Sequence, residues 1–255
     1  MRLLGGSTLS VNTYLRRCNM RRVLIVYSVI VLSVIFPLTT AVTNYSERAV
    51  SGGTAAVRSP FFSNVDVLID VGHGGVDCGT RYGELYEKDI NLKMSKLTYT
   101  LMREKGLRVL CNRINDYALS GENSWLRSHS RHRKDLAQRS HLANDLGPKA
   151  VISIHVNWAK HSRARGPIIL HQKNQQSRRL AECLQASLNK LYGTSNKAKL
   201  GKSYHMLRHV RPPSVIIEMG FITNPADREQ MTQPEKQREL AEAIVAGVQA
   251  YLGQA

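Results

Sequence analysis

The chain has 255 residues, which allows one ordinary α/β domain with a leader, or at most two small domains. Its 42% hydrophobic and 22% charged residues are typical of a globular protein and exclude a disordered one. The formal net charge of +17 favours an anionic partner, which leaves nucleic acid, cell-wall polymer and an acidic membrane surface open. The sequence has four cysteines but no CxxC pair, which argues against a disulfide framework and a cysteine-rich zinc knuckle.

The first 42 residues predict a targeting segment. Residues 1–22 contain five arginines and no acid, and residues 23–42 follow without a charge. We expect residues 1–22 to be a basic cytoplasmic tail and residues 23–42 to span the membrane as an anchor. A cleaved signal peptide is the alternative, because Pro37 ends the strongly apolar run and small residues follow it. We favour the uncleaved anchor because the apolar stretch is long, and Met20 leaves the true start open.

Residues 43–64 are rich in Ser, Thr and Gly and predict a linker to a single domain over residues 65–255. An anchor and a signal peptide would both export that domain, so we expect it on the extracytoplasmic side of the membrane, anchored or secreted. Export conflicts with DNA binding, and the sequence contains no DNA-binding motif. We therefore expect no nucleic-acid partner despite the positive charge.

Beyond the linker, short apolar runs alternate with amphipathic segments. The apolar runs predict strands over residues 65–71, 107–111, 150–155, 167–171, 203–207 and 215–219. Helical spacing predicts helices from Ile90 to Leu101, over residues 135–146 and 177–191, and from Leu240 to Tyr251. Residues 116–134 predict an irregular loop that ends in a basic cluster, and we hypothesise that this cluster binds anionic cell-wall polymer. The alternation predicts an α/β domain with a mostly parallel or mixed sheet, covered by helices on both faces.

Several side chains suited to metal chemistry lie at or near the ends of predicted strands. His73 follows the first strand, His155 ends the third, and Glu218 lies in the last. Glu87 adds a carboxylate just before the first helix. Two imidazoles and one carboxylate with an open fourth position are the ligands of a hydrolytic zinc ion, which needs a further carboxylate to take a proton from water. A lone histidine is more often structural, but a glutamate in an apolar run is costly to bury without a purpose.

Four segments, in order along the chain, resemble the motifs of zinc-dependent N-acetylmuramoyl-L-alanine amidases with a mixed α/β fold. They are residues 69–75 (IDVGHGG), 84–92 (ELYEKDINL), 153–157 (SIHVN) and 217–224 (IEMGFITN). The resemblance covers about residues 65–252, and four ordered matches rarely agree by chance. It implies hydrolysis of the amide bond between N-acetylmuramic acid and the L-alanine of peptidoglycan.

The resemblance also implies roles for individual residues. His73, Glu87 and His155 are expected to hold Zn²⁺, and Glu218 is expected to be the catalytic acid–base group. Glu84 competes with Glu87 for the ligand role, and only the Glu-Lys-Asp context favours Glu87.

Other residues are assigned less directly. Arg113 and Asn157 match family positions and are expected to hold carboxylate or carbonyl groups of the substrate. Asp70 is expected either to hydrogen-bond a ligand histidine or to cap a strand end. Cys78 is interpreted as structural, because a fourth protein ligand would close the site to water. The remaining histidines are interpreted as surface or packing residues: His129, His132, His141, His161, His171, His205 and His209.

Within the family, the short chain with one apolar leader and no wall-binding repeats is similar to the germination-specific amidases of spore-forming bacteria. That similarity implies spore-cortex peptidoglycan as the substrate, cleaved before muramic δ-lactam is made. It leaves open whether a protein partner activates the enzyme. A zinc peptidase with the same ligands and a non-catalytic wall-binding domain are the alternatives. The second would be marked by loss of a ligand or of Glu218, and all four residues are present.

Overall fold

A computed structural model describes residues 64–253 of the chain. The predicted cytoplasmic tail, the anchor or signal peptide and all but the last residue of the predicted linker lie outside the described residues. Within residues 64–253, no helix combines the length and the apolar character that a bilayer crossing requires.

Eight strands and six helices follow one another along these residues. The strands are β1 (Val67–Val71), β2 (Arg81–Tyr82), β3 (Leu85–Tyr86), β4 (Val109–Cys111), β5 (Ala150–Asn157), β6 (Ile168–His171), β7 (Lys199–Leu200) and β8 (Ser214–Phe221). The helices are α1 (Glu87–Glu104), α2 (Arg131–Leu146), α3 (Gln175–Tyr192), α4 (His205–His209), α5 (Pro225–Thr232) and α6 (Pro234–Leu252). A single 3₁₀ turn, Leu119–Gly121, precedes α2.

Six of the strands form one mixed sheet in the order β4-β1-β5-β8-β6-β7. Strands β4, β1, β5 and β8 are parallel, whereas β6 runs antiparallel to β8. The two short strands β2 and β3 form a separate antiparallel hairpin. The predicted α/β domain with a mostly parallel or mixed sheet is therefore confirmed.

The central strands β1, β5 and β8 are buried on both faces, which explains why they appear as continuous apolar runs in the sequence. Alternate residues of β1 face opposite sides. Val67 and Ile69 belong to the larger apolar cluster, which also contains residues of α1, α3 and α6. Leu68 belongs to a smaller cluster with Ala143 of α2 and Met206 of α4. Helices thus cover both faces, as expected.

The predicted strand over residues 203–207 is wrong, because His205–His209 form the short helix α4. Met206 and Leu207 are both buried although they are neighbours in sequence. A strand would have pointed them to opposite faces, whereas a helix turns both towards the sheet.

The predicted loop over residues 116–134 is shorter than expected, because its last four residues form the first turn of α2. The side chain of Ser130 caps this helix by accepting a hydrogen bond from the backbone N–H of Arg133 at 3.3 Å. The sequence analysis also missed β2, β3, β7 and α5. The three strands have only two residues each, too few to show a period.

Candidate active site

Two of the expected site residues lie side by side at one end of the sheet. His155 of β5 and Glu218 of β8 are partners across a parallel pair of strands. Each is an even number of residues along its strand from a residue that packs under α2 or α4, namely Val151 for His155 and Ile216 for Glu218. His155 and Glu218 therefore share the face of the sheet that α2 and α4 cover. Both lie towards the carboxyl ends of their strands, where α/β sheets place their ligands.

His73 reaches the same place from the loop that follows β1. Its backbone has a φ of 58°, which is the left-handed region that residues other than glycine seldom occupy. The side chain of Arg139 donates a hydrogen bond to the carbonyl oxygen of His73 at 2.8 Å. Arg139 therefore holds the loop in an uncommon backbone conformation, and this conformation directs the imidazole ring of His73 towards His155 and Glu87.

Glu87 is the first residue of α1 and is buried. Its backbone N–H donates to the carbonyl oxygen of Thr80 at 2.9 Å, and its Oε2 accepts from the backbone N–H of Thr80 at 2.8 Å. The other oxygen, Oε1, accepts from the backbone N–H of Val156 at 3.0 Å. Glu84, the competing candidate, is exposed and does not join the cluster.

The three residues converge on one point. Oε1 of Glu87 lies 3.1 Å from Nε2 of His73 and 3.0 Å from Nδ1 of His155. One nitrogen or oxygen from each residue lies within 4.8 Å of those of the other two, a spacing that can hold a metal ion. Cys78 is half-buried and outside this cluster. The arrangement thus offers two imidazoles and one carboxylate from three separate segments of chain.

Two glycines leave room for these side chains. A Cβ atom at Gly72 would lie 2.6 Å from Cε1 of His155, and one at Gly79 would lie 2.5 Å from Oε2 of Glu87. Gly79 also has a φ of 65°, which disfavours a side chain for a second reason. Backbone therefore packs directly against two of the three converging residues, so their positions have little freedom.

Comparison with known proteins agrees with this geometry. Residues 67–250 match the family described as Amidase_3, N-acetylmuramoyl-L-alanine amidase. The chain belongs to this family. It is an enzyme that hydrolyses the bond between N-acetylmuramic acid and L-alanine in peptidoglycan, as the resemblance implied.

Two relatives and one solved structure illustrate the similarity. The chain is 33% identical to uncharacterized protein YqiI of Bacillus subtilis (strain 168) over 191 residues, which cover 74% of this chain and 85% of that protein. It is 30% identical to the germination-specific N-acetylmuramoyl-L-alanine amidase of the same organism over 188 residues, which cover 72% and 78%. The CwlD amidase of Clostridioides difficile, solved in complex with the GerS lipoprotein, matches with a TM-score of 0.70 and 27% identity over 75% of this chain and 100% of that one.

Burial and neighbouring charge change the acidity of groups in the amidase site. Burial opposes ionisation of Glu87, but its hydrogen bonds and charge contacts with His155 and His73 hold its pKa below the ordinary value. Burial likewise opposes protonation of His73, yet Asp77 and Glu87 together raise the pKa of His73 to about 10. Nδ1 of His73 lies 2.9 Å from the Asp77 carboxylate, although without the alignment of a hydrogen bond. The cluster therefore attracts positive charge.

Glu218 differs from Glu87. It is only 9% exposed, and no described side chain or backbone group donates a hydrogen bond to its carboxylate. Burial raises the pKa of Glu218 to about 7 despite the nearby histidines. A carboxyl group with a pKa near neutral can both accept and return a proton.

Asp70 does not hydrogen-bond a histidine ring, so that part of its expected role is wrong. Its oxygens instead accept hydrogen bonds from Arg139 Nη1 at 2.8 Å, from Ser153 Oγ and from Asn112 Nδ2. These three donors surround the buried carboxylate, and no imidazole is among them. Asp70 acts on the His73 loop indirectly, by holding Arg139 in place.

Arg113 is not available to bind substrate, because it is 1% exposed. Its guanidinium donates to the carbonyl oxygens of Val71 at 3.2 Å, Gly72 at 2.9 Å and Asn115 at 3.0 Å. A buried cation needs such partners, and these contacts fasten the His73 loop to the segment after β4. Asn157, by contrast, lines the pocket beside the cluster, and its role in substrate binding stays a prediction.

The pocket above the cluster has a volume of about 420 Å³ and includes residues that the sequence analysis did not assign to a site. His132 at the start of α2, Tyr204 and His205 at the start of α4, and Trp158 after β5 all line it. His132 and His205 were interpreted as surface or packing residues. A helical interpretation of residues 203–207 would have placed His205 beside the strand ends.

Replacing Arg139 by methionine should destabilise the amidase by about 3–5 kcal/mol, because the buried carboxylates of Asp70 and Asp135 would lose their counter-charge. Urea unfolding of the full chain measures this free energy. Arg131→Met, on an exposed residue of the same helix, is the matched control and should change it by less than about 0.5 kcal/mol. Equal losses in the two variants would contradict the structural role of Arg139.

Proposed function

We propose that the amidase is a zinc enzyme in which His73, Glu87 and His155 hold the ion. The observation that carries this proposal is the convergence of these side chains, with ligand atoms within 4.8 Å of one another. Two nitrogens and one oxygen are a ligand set that suits zinc in hydrolases. The glycine backbone packed around His155 and Glu87 fits a site whose ligands must not move.

A zinc ion bound by three protein ligands supplies a Lewis acid that lowers the pKa of water and polarises a carbonyl oxygen. Glu218 then has a defined task beside it. As a carboxylate it takes the proton from the attacking water, and as a carboxylic acid it returns that proton to the departing alanine nitrogen. The pKa of about 7 supports both halves of this cycle, since the two forms are close in free energy at neutral pH.

Zinc affinity should fall as the pH is lowered from 9 to 6. With a pKa of about 10, His73 is protonated throughout this range and must lose its proton to become a ligand. Calorimetry in two buffers of different ionisation enthalpy should therefore detect release of about one proton per ion at pH 7. His141→Gln, on an exposed histidine outside the cluster, should release the same number. Binding without proton release and with pH-independent affinity would contradict His73 as a ligand.

We further infer that the substrate is the peptidoglycan of the spore cortex. The support is the 30% identity with a relative named a germination-specific amidase, over 72% of this chain. The fold also matches the CwlD amidase over the whole of that chain. Removal of the stem peptide would leave a free lactyl carboxylate on the muramic acid, which is the group that muramic δ-lactam formation requires.

Digestion of isolated cortex by the full chain, followed by mass spectrometry, tests the catalytic and substrate proposals together. Glu218→Gln should retain zinc and lose about 10²- to 10⁴-fold in the rate at which peptide is released from muramic acid. Glu84→Gln, on an exposed residue, should keep the wild-type rate. Wild-type activity in Glu218→Gln would refute the acid–base role. Cleavage of vegetative wall but not of cortex would refute the cortex assignment.

A protein partner is also part of the proposal. The structurally similar CwlD amidase was solved in complex with the GerS lipoprotein, and a comparable protein could activate this amidase. A purified chain that is fully active on cortex without added protein would remove the need for one.

The location that we propose is the outer face of the membrane. Its support is sequence alone: residues 23–42 lack charge and follow five arginines. The expressed full chain should sediment with membranes and resist carbonate extraction, whereas a chain without residues 1–42 should not sediment. A secreted product that lacks about the first 42 residues would favour the signal peptide instead. Full-length protein in the soluble cell fraction would contradict both.

A further inference from the structure

Two large aromatic side chains remain exposed at the mouth of the pocket. Trp158 is 55% exposed and Tyr204 is 41% exposed, and both line the same cavity as Glu218 and His155. Tryptophan has a large apolar face that gains free energy when it is covered. Aromatic groups left open beside a reactive centre therefore mark a surface that a ligand can cover.

The backbone holds Trp158 close to the reactive residues. It directly follows β5, three positions after His155, and its backbone N–H donates to Oδ1 of Asn157 at 2.8 Å. Tyr204 lines the same pocket as Glu218 and lies near it, since burial and the charge of Glu218 both raise the pKa of Tyr204. The aromatic part of the pocket is thus next to the general acid–base group.

The part of the pocket away from Trp158 and Tyr204 is lined by charged side chains. A second cavity of about 290 Å³ shares Asp77, His132 and Asp135 with it and adds Arg131. Neither Trp158 nor Tyr204 lines this second cavity. One side of the pocket is therefore lined by charged groups of both signs, while the other side presents aromatic faces.

The scissile bond joins two groups that differ in the same way. On one side is a peptide, which carries carboxylates, and on the other is a sugar, which is uncharged once its lactyl carboxyl is in the amide. Sugar rings present C–H groups that pack well on an apolar aromatic face, whereas the carboxylates of the peptide need a charged or hydrogen-bonding partner such as Arg131. This chemistry places the sugar on the side of the pocket that Trp158 and Tyr204 line.

We propose that Trp158 is a sugar-binding residue of the amidase, with its indole face against the N-acetylmuramic acid ring or the adjoining glycan and with Tyr204 flanking the same ring. The proposal deepens the proposed function and rests on it, because it assigns the two sides of the scissile bond to the two sides of the pocket.

Kinetics with two substrates distinguish a sugar contact from a peptide contact. One is a muramoyl-peptide that carries its glycan, and the other is the matching lactoyl-peptide without a sugar. Trp158→Ala should lower kcat/KM about tenfold on the glycan substrate, mainly through KM, and leave the lactoyl-peptide unchanged. Trp158→Phe should recover most of the loss. Trp125→Ala, on a similarly exposed tryptophan that does not line the pocket, should behave as wild type on both.

Binding of the peptide-free disaccharide of N-acetylglucosamine and N-acetylmuramic acid gives a second readout that needs no catalysis. The chain has two tryptophans, so Trp125→Phe leaves Trp158 as its only one. The emission of Trp158 should shift to shorter wavelength and saturate as the disaccharide is added, and Tyr204→Ala should weaken this binding.

The outcomes separate the two proposals. Equal losses for Trp158→Ala on both substrates, or no emission change with the disaccharide, would overturn the sugar contact. Disaccharide binding by a wild-type chain that cleaves neither substrate would support the sugar contact and count against the catalytic proposal.

Discussion

The site depends on a buried cation. Arg139 is 3% exposed and donates to Asp70, to Asp135 and to the carbonyl oxygens of Val71 and His73. These contacts join α2 to the end of β1 and hold the left-handed turn from which the His73 ring projects. Because a buried charge without partners is very costly, loss of one member of the network destabilises the others. The position of His73, one of the candidate ligands, therefore depends on how α2 packs against the sheet.

Much of the site could be predicted because its residues occur in segments with a strong local pattern. His155 and Glu218 end or interrupt apolar runs, and parallel strands bring such positions together at one edge. The choice of Glu87 over Glu84 required the resemblance, since both are glutamates and they are only three residues apart. Arg113 could not be assigned correctly from its motif, because a motif gives a position in sequence and not whether the side chain faces the core.

The errors in the fold have a similar cause. Residues 203–207 are too few to separate a period of 2 from one of 3.6, and the helix there brought His205 and Tyr204 into the pocket. The basic cluster before residue 135 was assigned to a loop because its charge masks any helical pattern, although Ser130 is a good helix cap. Both errors concern segments that line the pocket.

Both oxygens of Glu87 must accept a hydrogen bond from the backbone, which no amide could do. Oε2 receives the N–H of Thr80, and Oε1 receives the N–H of Val156 beside two imidazole nitrogens. A glutamine would have to turn its NH₂ towards one of these donors, so each of its two orientations creates a clash between hydrogens. An aspartate would be one methylene too short to reach both. The chemistry of this position is therefore restricted to a single side chain by the backbone alone, whatever else binds there.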